Sequence, residues 1–278
     1  AGLQLNIGGR GLDPNRTSNF NTRQNGYDIS ADVLGYPESY YTPPSESLSE
    51  IQIIRGAASL QYGTQFGGLV NFKMKNPNPN RLIEFKTRNT IGSNNLFTNF
   101  TSFSGSKDKI SYYGFFNYKK GDGFRSNSDF KSYNFYSFLK YDLSKKINFS
   151  FELTYLNYLA QQPGGLTDAM FYDNIFQSNR ERNWFEVNWL LYNFQFSYDI
   201  SDKTNWSINS FILDAHRYAV GFRSNRVDQI DSFLERDLIK SDFNNFGLET
   251  KIIHESDFLS KNLVSLLGFK IYSGTNST

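Results

Sequence analysis

The stretch Leu190-Leu191-Tyr192-Asn193-Phe194-Gln195-Phe196-Ser197-Tyr198-Asp199-Ile200 decides the fold class. Its even positions are Leu, Tyr, Phe, Phe, Tyr and Ile, and from 193 onward its odd positions are Asn, Gln, Ser and Asp. A period of two puts one set of side chains on each face of a strand, so one face is apolar and the other polar. The pattern recurs in Ile147–Tyr155, where Ile147, Phe149, Phe151, Leu153 and Tyr155 alternate with Asn148, Ser150, Glu152 and Thr154. It returns at Leu263, Leu267, Phe269 and Ile271, whereas 96–105 carries Phe on both faces.

Working outward, the pattern predicts nine strands, at 82–92, 96–105, 109–119, 131–142, 147–158, 185–200, 204–219, 242–255 and 261–272. Their connections alternate in length. Those at 106–108, 144–146, 201–203 and 256–260 are short and mostly charged, whereas 120–129, 160–183 and 221–241 are long. Short turns at one end and long loops at the other are the layout of a transmembrane β-barrel, and a soluble meander has no reason to sort its loops this way. Composition agrees: aromatics make up 17% of a chain whose mean hydropathy is −0.53, as expected of strands with a lipid face, a polar lumen and aromatic girdles. A large soluble β-protein is the alternative that composition alone leaves open.

The chain has no cysteine, which excludes disulfides and thiol chemistry, and its net charge of +2 does not point to nucleic acid. His216 and His254 lie far apart in sequence, at the expected outer end of one strand and beside a short turn of another. No nucleophile triad, paired-His metal motif or phosphate loop accompanies them, so neither catalysis, a cofactor nor a metal site is expected. Residues 1–10 lack the basic start and apolar core of a signal peptide.

The character of the chain changes near Pro77. Most of the prolines and the densest glycine clusters precede it, and Asn76-Pro77-Asn78-Pro79-Asn80 reads as a linker, because proline blocks both helix and central strand. The expected units are 1–79 and 80–278.

The segment Ile54-Arg55-Gly56-Ala57-Ala58-Ser59-Leu60-Gln61-Tyr62-Gly63-Thr64-Gln65-Phe66-Gly67-Gly68-Leu69-Val70-Asn71-Phe72-Lys73-Met74-Lys75 closely resembles the end of the plug domain of TonB-dependent outer-membrane receptors. In that family a hydrophobic strand leads into Arg-Gly, a Ser and Tyr-Gly follow, and Gly-Gly-x-x-Asn precedes the barrel. Arg55, Gly56, Ser59, Tyr62, Gly63, Gly67, Gly68 and Asn71 carry the match. Upstream, Arg10–Arg16 resembles an earlier Arg-Gly strand with its turn. Asn25-Gly26-Tyr27-Asp28-Ile29 stands where the family has Asp-Gly-x-Pro-Ile, with Asn in place of Asp and Asp28 in place of Pro. Residues 35–44 and Pro163-Gly164-Gly165-Leu166-Thr167 resemble the ferric dicitrate receptor branch, whose third outer loop carries Pro-Gly-Gly-Leu.

The resemblance implies a mainly β chain: an α+β plug domain, its earlier part lying before Ala1, followed by about nine of the roughly 22 antiparallel transmembrane strands of such a barrel. It implies TonB-dependent active transport of an iron chelate across the bacterial outer membrane. Energy comes from the TonB-ExbB-ExbD complex through an N-terminal box, and lipid and lipopolysaccharide surround the wall. Cobalamin, glycan or peptide cargo, or a passive porin, are the alternatives. Guanidinium groups bind carboxylates through two parallel hydrogen bonds, so Arg16, Arg23, Arg180, Arg182, Arg217, Arg223 and Arg226 are the expected contacts to an anionic chelate. Gln161 and Gln162 are neutral candidates. Glu38, on the expected upper surface of the plug, would repel an anion and counts against citrate itself.

Overall fold

The computed structural model describes residues 19–33, 36–56, 62, 67–221, 227–229, 231–258 and 261–278. A small inner sheet is built first along the chain. Strand β1 (Asn21–Gln24) turns at Asn25-Gly26 into β2 (Tyr27–Asp28). Both turn residues have positive φ, 47° and 91°, the geometry of the tightest hairpins, which Asn-Gly adopts with least strain. A short ribbon, β3 (Ala31–Val33) with β4 (Tyr36–Glu38), and a 3₁₀ turn at Ser45–Ser47 lead to β5 (Leu48–Ile54) and β6 (Leu69–Met74). The order is β2-β1-β6-β5, and β1 runs parallel to β6.

The nine expected strands form one antiparallel sheet in which every strand pairs with its sequence neighbour. They are β7 (Glu84–Gly92), β8 (Leu96–Lys107), β9 (Ile110–Gly121), β10 (Phe130–Asp142), β11 (Ile147–Gln161), β12 (Trp184–Ser201), β13 (Thr204–Val220), β14 (Leu238–Phe258) and β15 (Lys261–Ser277). Most exceed their predicted lengths, β14 starting four residues early. The reason is that the backbone ladder continues through Leu238↔Val220 after the apolar alternation has ended. The long connection between β11 and β12 also holds a short helix, α1 (Asp168–Asp173), capped by the Thr167 hydroxyl accepting from the Met170 amide at 3.3 Å.

One face of this wall carries the inner sheet, and the other carries the exposed apolar side chains, among them Phe151, Tyr192, Phe194, Ile212 and Phe246. Toward the long loops the main apolar belt ends at Tyr133 on β10, Tyr155 on β11, Leu190 on β12, Ile212 on β13, Phe246 on β14 and Ile271 on β15, with Leu159 and Leu238 exposed beyond it. Tyr155 pairs with Leu190 and Ile212 with Phe246, but Tyr133 pairs with Asn157, Leu190 with Asp214, and Phe246 with Ser273. The edge therefore falls by about one residue per strand relative to the hydrogen-bonded rows. Tilted strands in a barrel wall require such a stagger if the belt is to stay level.

The inward face is less polar than the alternation suggested. Val187, Trp189, Leu191, Phe211, Leu213, Ala215 and Phe243 are buried in one core with Phe20, Tyr27, Ile29, Tyr40 and Tyr41 of the inner unit. Gly247 belongs to this face, where a Cβ would lie 2.0 Å from the Phe211 ring. Gly247→Val therefore displaces Phe211 and should destabilise the wall by about 1–3 kcal/mol, measured by urea unfolding from liposomes, whereas Gly268→Ala, whose added Cβ meets nothing closer than 3.5 Å, should be nearly neutral.

Candidate functional site

The contact between inner sheet and wall has three levels. At the level nearest the short turns, the Asn25-Gly26 hairpin tip meets two wall carboxylates. Glu152 of β11 is fully enclosed and accepts from Asn25 Nδ2 at 3.0 and 3.1 Å, Gln24 Nε2 at 3.3 Å and the Tyr136 hydroxyl at 2.9 Å. Glu249 of β14 receives Arg23 through both guanidinium nitrogens, at 2.9 and 3.1 Å, with Lys270 at 3.2 Å on its other side. Arg23 is buried, bonds also to Asn21 and the Gly26 carbonyl, and stacks over the Tyr62 ring at 4.7 Å. A fork-to-carboxylate pair is strong and directional, and breaking one that is buried costs far more than an exposed pair would.

The plug-end motif holds this tip in place. Asn71 Oδ1 accepts from the Gly26 amide at 2.9 Å, while its Nδ2 donates to Gln52 at 2.8 Å. Asn25 Oδ1 accepts from the Met74 amide at 2.9 Å. At Gly68 φ is +95°, and a Cβ there would lie 2.5 Å from the Ile54 carbonyl oxygen, so no side chain fits. Gly67 lies equally close to Asn19 and Phe20. Gly56 also has positive φ, and Arg55 packs against Gly68. Ser59 and Gly63 lie outside the described residues.

The middle level is the shared aromatic core. Burial pushes the Tyr27 and Tyr41 hydroxyls well above the usual phenol range, and both stay neutral at any physiological pH. Tyr41 donates to Gln24 Oε1 at 2.9 Å, tying this core to the hairpin below.

At the level of the long loops, Arg217 reaches the Tyr40 hydroxyl and lies 5.3 Å from its ring, and its other nitrogen donates to Ser241 at 2.9 Å. The loops bind one another. Arg125, in the connection after β9, donates to the carbonyls of Gly164 at 2.7 Å, Gln177 at 2.9 Å and Pro163 at 3.4 Å, clasping the Pro-Gly-Gly-Leu segment. Asn127 donates to the Asn183 carbonyl at 3.1 Å and to that of Arg180. Arg180 is buried and holds the Gln229 carbonyl at 2.9 Å. Arg182 forks onto Asp231 at 2.9 and 3.3 Å and also reaches the Leu234 carbonyl, while Arg236 contacts the same Asp231. Gln161 and Gln162 lie beside these loops, each using its backbone amide to join them, to Asp129 and Asn183, at 2.9 Å.

The structure thus gathers Arg180, Arg182 and Arg217 at the loop end and places Arg23 apart from them, at the lower level of the interface. Arg16, Arg223 and Arg226 lie outside the described residues. Sequence reasoning passed over Glu152, Glu249, Asp231, Arg125 and Asn127. For Glu152 the signal was visible: a carboxylate between Ser150 and Thr154 on the inward side of an otherwise uncharged strand.

No protein-family model matches the sequence. Among solved structures, the ferric citrate transporter FecA in its unliganded form superposes over 99% of this chain with a TM-score of 0.81 at 19% identity. BauA, the ferric preacinetobactin receptor of Acinetobacter baumannii, does so over 92% at 0.72 and 14% identity. PirA, a siderophore receptor of the same organism, covers 93% at 0.66 and 16% identity. The chain has the fold of a TonB-dependent receptor. It spans 41%, 39% and 40% of those three chains.

Two outcomes follow from this geometry. Glu249→Ala leaves the Arg23 charge without its buried partner and should weaken the plug–wall contact by about 3 kcal/mol, seen as faster hydrogen exchange of the Arg23–Asp28 amides with little change in β8–β10. The second concerns Asp231. Burial alone would raise its carboxyl, but hydrogen bonds from Arg182, the Phe233 amide and Arg236 outweigh that and hold it well below the usual carboxylate range. A depressed folded value means that the loop clasp is complete above the unfolded carboxylate's pKa of about 3.9. It is lost only as pH falls below that toward the depressed value. Proteolysis at 227–237 should therefore be unchanged between pH 7 and pH 5, and Asp231→Asn should raise it at both.

Proposed function

We propose that residues 1–79 are the later part of a plug and residues 80–278 the first strands of a transmembrane barrel, in a receptor that imports an iron chelate across the bacterial outer membrane. One observation supports the reading: the inner sheet packs on the face of the wall opposite the exposed apolar side chains, gripped by Glu152 and Glu249, where a passive pore would need open space. The level apolar belt supports a lipid-facing exterior and disfavours a soluble β-protein.

In this reading the loops and the apex of the plug take up the anionic chelate, with Arg217 over Tyr40 and the Arg-rich connection after β13 as its cationic contacts. Arg180 and Arg182 act one step back, keeping the loops in shape through Gln229, Asp231 and Leu234. Because the plug is held by a buried ion pair and an aromatic core, thermal opening is rare. The TonB-ExbB-ExbD complex supplies the work, and no covalent bond changes. Energised import of another cargo, such as cobalamin, a glycan or a peptide, is the second reading. It is favoured by the engagement of Arg180 and Arg182 with loop carbonyls and Asp231, which leaves fewer cationic groups facing a ligand.

The test is uptake of radio-iron as citrate, hydroxamate and catecholate complexes by cells carrying the full-length receptor, with and without TonB. TonB-dependent import of at least one is expected, and import of none, beside tight binding of a neutral or cationic ligand, would sink the iron reading. Charge-assisted hydrogen bonds contribute roughly 1.5–3 kcal/mol each, so Arg217→Ala with Arg223→Ala should weaken binding of the imported anionic chelate more than about tenfold without unfolding the barrel.

A further inference from the structure

Beside the hairpin tip, in the half of the wall that carries the short turns, plug and wall enclose a cavity of about 260 Å³. Its lining includes Asn148, Gln195, Ser197, Asn209, Glu249 and Lys251. Three features set it apart. Amides and hydroxyls line much of it beside Tyr62, Phe196 and Ile208, and Asn209 Oδ1 is buried there with no hydrogen-bond partner, an acceptor open to a hydroxyl of the ligand. Glu249 is already neutralised twice, by Arg23 and by Lys270, so the carboxylate does not set the sign of the site. Lys251 adds a further positive charge and makes no ion pair among the described residues.

We infer that this cavity is a second binding site, for a small oxygen-rich anion, on the exit side of the plug. The inference rests on the proposed import function for its purpose but not for its chemistry. Lys251 supplies charge as a compact ammonium on a flexible stem, suited to brief contact rather than a rigid fork. Gln195, Asn148 and Asn209 supply neutral donors and acceptors that suit carboxylate, hydroxamate or hydroxyl oxygens alike. If Arg23 leaves Glu249 when the plug loosens, Lys270 still pairs with that carboxylate, and Lys251 stays available to the passing anion. A ligand released from the loops would thus meet a weak holding point before the turn end.

The test is lysine acetylation of the purified full-length receptor, with free citrate and ferric citrate as probes. At several times the dissociation constant, either anion should slow acetylation of Lys251 at least about threefold, while the exposed turn residue Lys203 reacts at its original rate. Gln195→Leu should reduce the protection. Equal Lys251 rates with and without both anions, or equal protection of Lys203, would overturn the site. In cells, Lys251→Gln should lower the initial import rate severalfold with surface binding unchanged, and Lys251→Arg should restore much of it. A wild-type receptor that imports no iron chelate but still shows Lys251 protection would defeat the import reading and leave the anion site standing.

Discussion

The polar contact between inner sheet and wall converges on a two-residue turn. Asn25-Gly26 must adopt positive φ at both positions, and that tight reversal brings Arg23, Gln24 and Asn25 to bear together on two carboxylates of the wall. Placing carboxylates away from bulk water is costly, and it is tolerable only where donors converge. The turn provides that convergence: amides and phenols around Glu152, cations around Glu249. Remove the turn geometry and Glu152 is left with the Tyr136 hydroxyl and Glu249 with Lys270 alone. Remove the carboxylates and the tip keeps only neutral hydrogen bonds to the wall, to Thr154, Tyr136 and Gln195.

The division of labour along the wall follows from the same constraint. Polar contacts fix where the hairpin sits, while the aromatic core above it, around Trp189 and Tyr41, supplies non-directional cohesion. Higher still, the loops are joined mainly by arginine and asparagine side chains donating to backbone carbonyls. Such bonds depend on loop shape rather than on the partner's side chain. The loop end is therefore a preassembled rim, and the lower grip is the directional part of the contact between inner sheet and wall.

Much of this was legible in the sequence. The nine wall strands follow from period-two alternation and from loop sorting, because a strand with lipid on one side and lumen on the other has little freedom in its pattern. The glycines at 67 and 68 were legible as part of the Gly-Gly-x-x-Asn motif. What alternation could not show is which inward side chains meet the plug. Trp189, Leu191 and Leu213 break the expectation of a polar lumen, since part of that lumen is filled with protein. The arginines mislead for a related reason. A guanidinium that binds a ligand and one that ties two loops together have the same sequence signature, and only coordinates show Arg182 on Asp231 and Arg23 on Glu249. Helix α1 was hidden in a long loop, its cap a single Thr before Asp.

The central claim is that the hairpin is latched to the wall and must be released for import. The chain has no cysteine, so a single engineered pair is informative. Gln24 Nε2 and Thr154 Oγ1 lie 3.1 Å apart across the contact. Gln24→Cys with Thr154→Cys in the full-length receptor, bridged by a short bifunctional methanethiosulfonate because a Cys at 24 ends two bonds short of the Gln24 amide, should stop import while leaving surface binding intact, and regain import on reduction. A pair that fails to cross-link, or a cross-linked receptor that imports at the wild-type rate, would contradict the account.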